Sequence, residues 1–397
     1  MSNANDGHNA GGQEQASLAN WRTPPHNRWA FHNVRQIIPV AEIKRDPDAV
    51  VALSRTAGSM EGFKLSLPDG SSLDLAGFLE ATATDALVAM VGGQIVYEFY
   101  DHGTTEHTPH ILMSATKAVV GLIVGILQRR GELDVEADAS RYMPELAATA
   151  YKGASIRQLL DMRTGVTLDE GQLRAYAHAT NWEPAAPGEP PRGFRGFFEQ
   201  LTIPGTPHGG PFRYVSANTD LLGLVIERAT DRTFAALASE LLWKPIGAEH
   251  DAYITVDRDG APRCTGGLCA TTRDFARIGQ LMLEHGRAGS GDIVPKEWIA
   301  DIAAHGDREA WRTGEWGKAF AAIGTDMSYR SGWYIVEGEP KTLFAMGIYG
   351  QNLFIEPSNN IVVAKLSSQS APIDYQAIAL THRAIPEIRR CLLGGVS

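Results

Sequence analysis

The chain has 397 residues, 44% of them hydrophobic and 21% charged, with 41 Gly and 21 Pro; this balance excludes a wholly disordered protein and leaves room for a large core. Acidic residues outnumber basic ones 46 to 36, and the formal charge of −10 opposes attraction to nucleic acid or to an anionic membrane surface. Three cysteines, Cys264, Cys269 and Cys391, are too few for a disulfide scaffold and lack the partners of a zinc site, so they read as structural thiols in a reducing compartment.

Residues 1–20 are polar, with neither an apolar stretch nor a basic patch. They read as a flexible arm without a secretory or transit signal, which makes a cytoplasmic location the expectation. A single catalytic domain is expected over 21–397, and Pro24-Pro25 suggests that its first segment wraps the body. Two β-rich runs, 86–91 and 94–100, flank Gly92-Gly93 and predict a hairpin, with Ile95, Tyr97 and Phe99 on one face. The segment 113–130 reads as a central buried helix stopped by Gly131. Its apolar run, 118–127, is about half of the roughly 20 residues that cross a bilayer.

Short helical patterns such as 155–162 alternate with loops up to residue 200, and 185–191 is too rich in Pro and Gly for a strand. The stretch 133–340 therefore reads as an inserted helical subdomain and cleft wall. Amphipathic helices are predicted at 218–229 and 272–284, strands at 342–348, 353–355 and 361–366, and a closing helix at 373–393. The fold class expected is α+β: an antiparallel sheet faced by helices, with a helical subdomain inserted.

No phosphate-binding Gly-x-x-x-x-Gly-Lys-Ser/Thr, no His-Glu-x-x-His and no Gly-x-Ser-x-Gly occurs. His102, His107 and His110 cluster in a polar loop without the carboxylate order of a metal site, so no metal is expected. One arrangement stands out. Ser114-Ala115-Thr116-Lys117 is the single Ser-x-x-Lys in the chain, at the start of the apolar helix. Residues three apart on a helix share a face, so the Ser114 hydroxyl and the Lys117 amine can meet, while burial disfavours the ammonium and frees the amine as a base. The helix N-terminus adds positive potential where an oxyanion develops. A capping Ser with a solvated Lys is the competing reading, but the uncharged run after Lys117 is a poor setting for a surface lysine.

The chain resembles the serine β-lactamases and penicillin-binding proteins, especially class C-type esterases and the 6-aminohexanoate-dimer hydrolases. The likeness covers most of 85–395 and rests on Leu112-Met113-Ser114-Ala115-Thr116-Lys117 and on the stretch from Gly266-Gly267 to Arg277. Closer likeness to the nylon-oligomer hydrolases rests on the stretch from Pro24 to Phe31, on Tyr214-Val215-Ser216-Ala217-Asn218-Thr219-Asp220, and on Gly347-Ile348-Tyr349-Gly350-Gln351-Asn352-Leu353. By that resemblance Tyr214 is the tyrosine of the Tyr-x-Asn motif, where a Lys117 ammonium would favour its phenolate. The motif's Asn position holds Ser216, with Asn218 two residues further on. The Lys/His-Thr/Ser-Gly motif aligns with Ala345-Met346-Gly347, of which only the Gly remains. Gly347 would let substrate lie against the strand, and the Ile348 N–H would join that of Ser114 as an oxyanion donor.

The resemblance implies an acyl-enzyme serine hydrolase cleaving short-acyl esters and small linear amides, with Ser114, Lys117 and Tyr214 catalytic and no cofactor or metal. Gln172, Trp182, Ser216, Thr265, Trp333 and Gly347 are the candidate substrate-binding residues. Gln172 falls where the hydrolases carry groups for the amide and the substrate ammonium. The partner expected is a small-molecule ester or amide, with neither nucleic acid nor membrane, and a homodimer is compatible with the chain. The alternatives are β-lactamase or D,D-carboxypeptidase activity, disfavoured by Ala345 and Met346, and a silent binding protein on the same scaffold.

Overall fold

The structure, a computed structural model, describes residues 16–185, 188, 193–202, 205–289 and 291–394. Most of the arm expected over 1–20, and most of the irregular stretch 185–191, lie outside the described residues.

We number the elements used below in chain order. The strands are β1 (Val40–Ile43), β2 (Thr84–Val91), β3 (Gln94–Tyr100), β4 (His110–Ile111), β5 (Ala252–Thr255), β6 (Leu268–Ala270), β7 (Met327–Arg330), β8 (Trp333–Val336), β9 (Thr342–Gly347), β10 (Gln351–Glu356) and β11 (Ile361–Ser367). The helices are α1 (Thr116–Arg129), α2 (Glu170–Ala179), α3 (Ala217–Thr230), α4 (Thr272–Leu283) and α5 (Tyr375–Leu392). A seven-stranded antiparallel sheet runs β7-β8-β9-β10-β11-β2-β3, and a four-stranded sheet runs β1-β5-β6-β4. The fold is the expected α+β arrangement.

Alternation along the central strands sorts their side chains into two cores. On β11, Val362 and Ala364 join the core that contains α1, α3 and α4, whereas Ile361 and Val363 join the one under α5. A Cβ on Gly279 of α4 would stand 2.5 Å from Val362, so this glycine lets the helix lie directly on the sheet. Helix α1 is buried from Thr116 to Leu127, as a helix apolar on all sides must be. Gly131 ends its last turn at φ +70°.

Two expectations are corrected. Ile95 does not share a face with Tyr97 and Phe99: Ala89 pairs with Tyr97 but Met90 with Ile95, and this bulge sends Ile95 into the α1 core and the two aromatics into the other. The region 133–340 is not purely helical, because it supplies β5 and β6 and two strands of the main sheet, β7 and β8. The segment before the hairpin packs into the body. Trp21, Ala30 and Phe31 are buried, and β1 pairs along its whole length with β5.

Candidate active site

The short strand β4 pairs with β6, and Leu112 N–H donates to the Leu268 carbonyl at 2.8 Å. The chain then tightens into a 3-10 turn, Met113–Ala115, before α1 begins. Met113 takes φ +47° in this turn, a left-handed conformation that costs a residue with a Cβ on the order of 1 kcal/mol. Ser114 is thereby presented half-buried at the floor of a cleft of about 260 Å³. Lys117 lies one turn on, 3% exposed, with Nζ 2.9 Å from Ser114 Oγ and 2.8 Å from the Thr265 carbonyl.

Tyr214, just ahead of α3, closes the third side. Lys117 Nζ is 4.9 Å from its ring centroid, and the Ser114 and Ser216 hydroxyls are hydrogen-bonding neighbours of its phenol. Burial pushes the Lys117 amine well below the ordinary lysine range, against the opposing pull of Asp220 and with the help of Arg263. Burial likewise raises Tyr214 above its ordinary value, although the hydroxyls and Arg263 oppose it. Burial thus disfavours both the lysine ammonium and the phenolate that the resemblance implies. A neutral Lys117 can accept the Ser114 proton.

Strand β9 brings the backbone of Gly347 against the Ser114 turn. A Cβ there would stand 2.6 Å from the Leu112 carbonyl and 2.9 Å from Ser114 N, so only glycine fits, although its φ of −128° suits any residue. The next residue, Ile348, lines the cleft with Ser114, and Tyr349 after it takes φ +63°. Left-handed residues thus flank both proposed oxyanion amides. Trp182, Ser216, Thr265 and Gly347 all line the cleft.

Gln172 and Trp333 do not line it. Gln172 caps α2: its side chain accepts from Asp169 N–H at 2.9 Å while its own N–H donates to Asp169. Trp333 is 0% exposed within the α1 core, because alternation on β8 turns its neighbour Tyr334 to the cleft instead. Asn218 is fully buried and accepts from Tyr151 Oη at 3.0 Å and Thr164 Oγ1 at 3.2 Å, so Ser216 faces the cleft and Asn218 does not. His102 and His110 both point to the buried Asp85 carboxylate, at 2.8 and 3.3 Å. Among the described residues no group of three or more His, Cys, Asp or Glu is placed to hold a metal ion. None of their helices is long and apolar enough to cross a membrane.

Sequence reading missed a buried network behind the nucleophile. Asp220 of α3 accepts from Arg263 and from the Tyr176 hydroxyl through one oxygen, and from Thr265 N–H at 2.8 Å through the other. Arg263 lies between the Trp182 and Tyr176 rings, its guanidinium carbon 4.7 and 4.9 Å from their centroids. The network fixes Thr265, whose carbonyl in turn holds the Lys117 amine. The one available signal was a charged residue, Asp220, on the otherwise apolar and small-residue face of a predicted helix.

The buried lysine paired to a serine on a strand-turn-helix, beside a seven-stranded antiparallel sheet, defines a class of hydrolase. The chain belongs to the β-lactamase family, whose model matches residues 75–385. Within that family it is similar to the 6-aminohexanoate-dimer hydrolase of Paenarthrobacter ureafaciens, with 33% identity over 365 residues, 90% of this chain and 89% of that protein. A solved structure from Bacillus anthracis, provisionally assigned as a 6-aminohexanoate-dimer hydrolase, superposes with a TM-score of 0.86 at 26% identity, covering 97% of this chain and 99% of that one. A family VIII carboxylesterase shares the fold at a TM-score of 0.57 and 19% identity, over 79% of this chain and 95% of that one. The chain is thus a β-lactamase-fold hydrolase.

Proposed function

We propose that the protein is a serine hydrolase that works through an acyl-enzyme on short-acyl carboxylic esters and, more slowly, on small linear amides. The observation that carries this reading is the Lys117 amine, buried, shifted by burial well below the ordinary lysine range and 2.9 Å from Ser114 Oγ. Ser114 Oγ attacks the substrate carbonyl, its proton passes to Lys117, and the carbonyl π pair becomes an oxyanion facing the Ser114 and Ile348 N–H groups. Collapse of the intermediate breaks the carbonyl–leaving-group bond. The departing oxygen or nitrogen takes the Tyr214 phenol proton, which the Lys117 ammonium replaces. Water then enters by the same path in reverse and frees the acid.

Esters are favoured over β-lactams because Met346, on β9, offers the cleft no cation or hydroxyl for a substrate carboxylate. The two arginines that line the cleft are already occupied, Arg263 by Asp220 and Arg22 by Glu183 at 2.5 Å. Similarity to the dimer hydrolase supports linear amides as substrates, while the engagement of Gln172 in a helix cap removes one candidate contact for them. The test is a panel of p-nitrophenyl acetate, p-nitrophenyl butyrate, nitrocefin and 6-aminohexanoate dimer, run on the wild type and on Ser114→Ala. Turnover of the p-nitrophenyl esters that vanishes in the variant is expected. Ester turnover that survives in Ser114→Ala contradicts the reading.

A further inference from the structure

The place of the leaving group follows from Tyr214. If its phenol delivers the proton, the departing atom lies within hydrogen-bond reach of it. The rest of the leaving group then extends along the surface to which Tyr214 belongs. That surface is a stack of rings. Tyr214 lies on Trp316 with centroids 4.3 Å apart and planes 19° apart, Trp316 lies on Phe320 at 5.0 Å and 14°, and Tyr334 is parallel to both within 6.3 Å. All four line the cleft, and Trp316 is half-buried at its edge.

The stack is held in place before any ligand arrives. Tyr214 N–H donates to Glu315 Oε1 at 3.0 Å and Glu315 N–H to the Phe212 carbonyl at 3.3 Å, pinning the segment that carries Trp316 to the segment that carries Tyr214. Gly314 and Gly317 pass so close to backbone that a Cβ would stand 2.4 Å from the Phe212 carbonyl and 2.7 Å from the Arg312 carbonyl. A preformed wall of rings loses little freedom when a flat group docks against it, and offset or edge-to-face ring contact adds to simple burial.

We propose that Trp316, Phe320 and Tyr334 form a leaving-group subsite that selects esters and amides whose alcohol or amine half carries an aromatic ring. The inference rests on the acyl-transfer reading above. In the step it governs, the acyl carbon–oxygen bond breaks, the Tyr214 proton moves to the oxygen, and a neutral aryl alcohol leaves past Trp316 along the aromatic wall.

The test compares 2-naphthyl acetate with hexafluoroisopropyl acetate, whose alcohols are of similar acidity but only one of which has rings. Both give the same acetyl-enzyme, so their kcat/KM values differ only in acylation. Each value is divided by that ester's rate of alkaline hydrolysis. The wild type is expected to favour the naphthyl ester at least tenfold, and 2-naphthol to inhibit competitively. Trp316→Ala and, separately, Phe320→Ala are expected to lower that ratio toward one and to weaken 2-naphthol inhibition. Turnover of both esters with a wild-type ratio near one overturns the subsite alone, and this result needs no variant. An equal fall for both esters in the variants also overturns it, since Trp316 would then only support Tyr214. No turnover of either ester, with no labelling of Ser114 by a fluorophosphonate, overturns the acyl-transfer reading and the subsite together.

Discussion

The proposed mechanism makes two demands of Lys117: it must be close enough to Ser114 to take its proton and neutral enough to accept it. The first is met by the i, i+3 spacing, which was legible in the tetrapeptide, and the second is favoured by burial under Thr265 and Tyr214, which depends on the fold. Because the shift is downward, the amine becomes competent at lower pH than a free lysine. kcat/KM for p-nitrophenyl acetate should rise with pH through Lys117 titration and level off well below the ordinary lysine value of about 10.4. A rise that continues to pH 10 contradicts this assignment. Lys117→Ala and Tyr214→Phe should each lower kcat by at least about 10², the usual scale for a lost proton-transfer group. Since both sit on one proton path, the double variant should lose far less than the product of the two factors. Full multiplication would show that they act independently. The Asp220–Arg263–Tyr176 network was not legible, because three residues far apart in sequence acquire meaning only when α2, α3 and the segment before β6 converge.

In the proposed mechanism strand β9 sets both geometry and selectivity. Gly347→Ala would drive a methyl to 2.6 Å from the Leu112 carbonyl, so the strand or the Ser114 turn must move. We expect kcat/KM for p-nitrophenyl acetate to fall at least tenfold, with the fluorophosphonate labelling rate falling in parallel, because both need the same two amides. An unchanged rate would remove the β9 amide from the oxyanion site. One residue earlier, Met346 leaves a β-lactam carboxylate without a partner, a loss on the order of 2 to 5 kcal/mol. p-Nitrophenyl acetate should therefore exceed nitrocefin in kcat/KM by at least tenfold, and comparable values would contradict the argument. The strands β9, β10 and β11 were legible from period-two alternation, whereas β7 and β8 were not. Those two are only four residues each and sit inside a region otherwise patterned as helix. The same near-invisibility of strand faces misplaced Trp333, since a one-residue change of register exchanges core and cleft.

Over the whole molecule, two cores on either side of one sheet and a third around Trp21, Phe31 and Trp182 hold the cleft between α1, α3 and the aromatic wall. The core under α5 includes a titratable contact. His382 lies edge-on to Phe344 and Phe354 at 4.8 and 5.0 Å, and burial lowers its pKa from 6.5 to about 3. Below pH 6.5 the unfolded chain binds a proton that the folded chain refuses, so stability falls as pH drops from about 6.5 toward 3. Each unit of separation is worth ~1.4 kcal/mol. Urea midpoints measured across this range should fall less steeply in His382→Leu than in the wild type, with His32, lowered to about 4, supplying part of the remaining slope. Identical slopes would show that His382 is protonated in the native state. The overall architecture and the Ser114–Lys117 pair were legible because each rests on local pattern, whereas the cleft's walls are assembled from segments as far apart in sequence as Arg22 and Ile378. The most direct test of the acyl-enzyme mechanism is mass-spectrometric peptide mapping after reaction with a fluorophosphonate. Stoichiometric label on Ser114, absent in Ser114→Ala, is the predicted result; label on another serine, or none on the folded wild type, would contradict it.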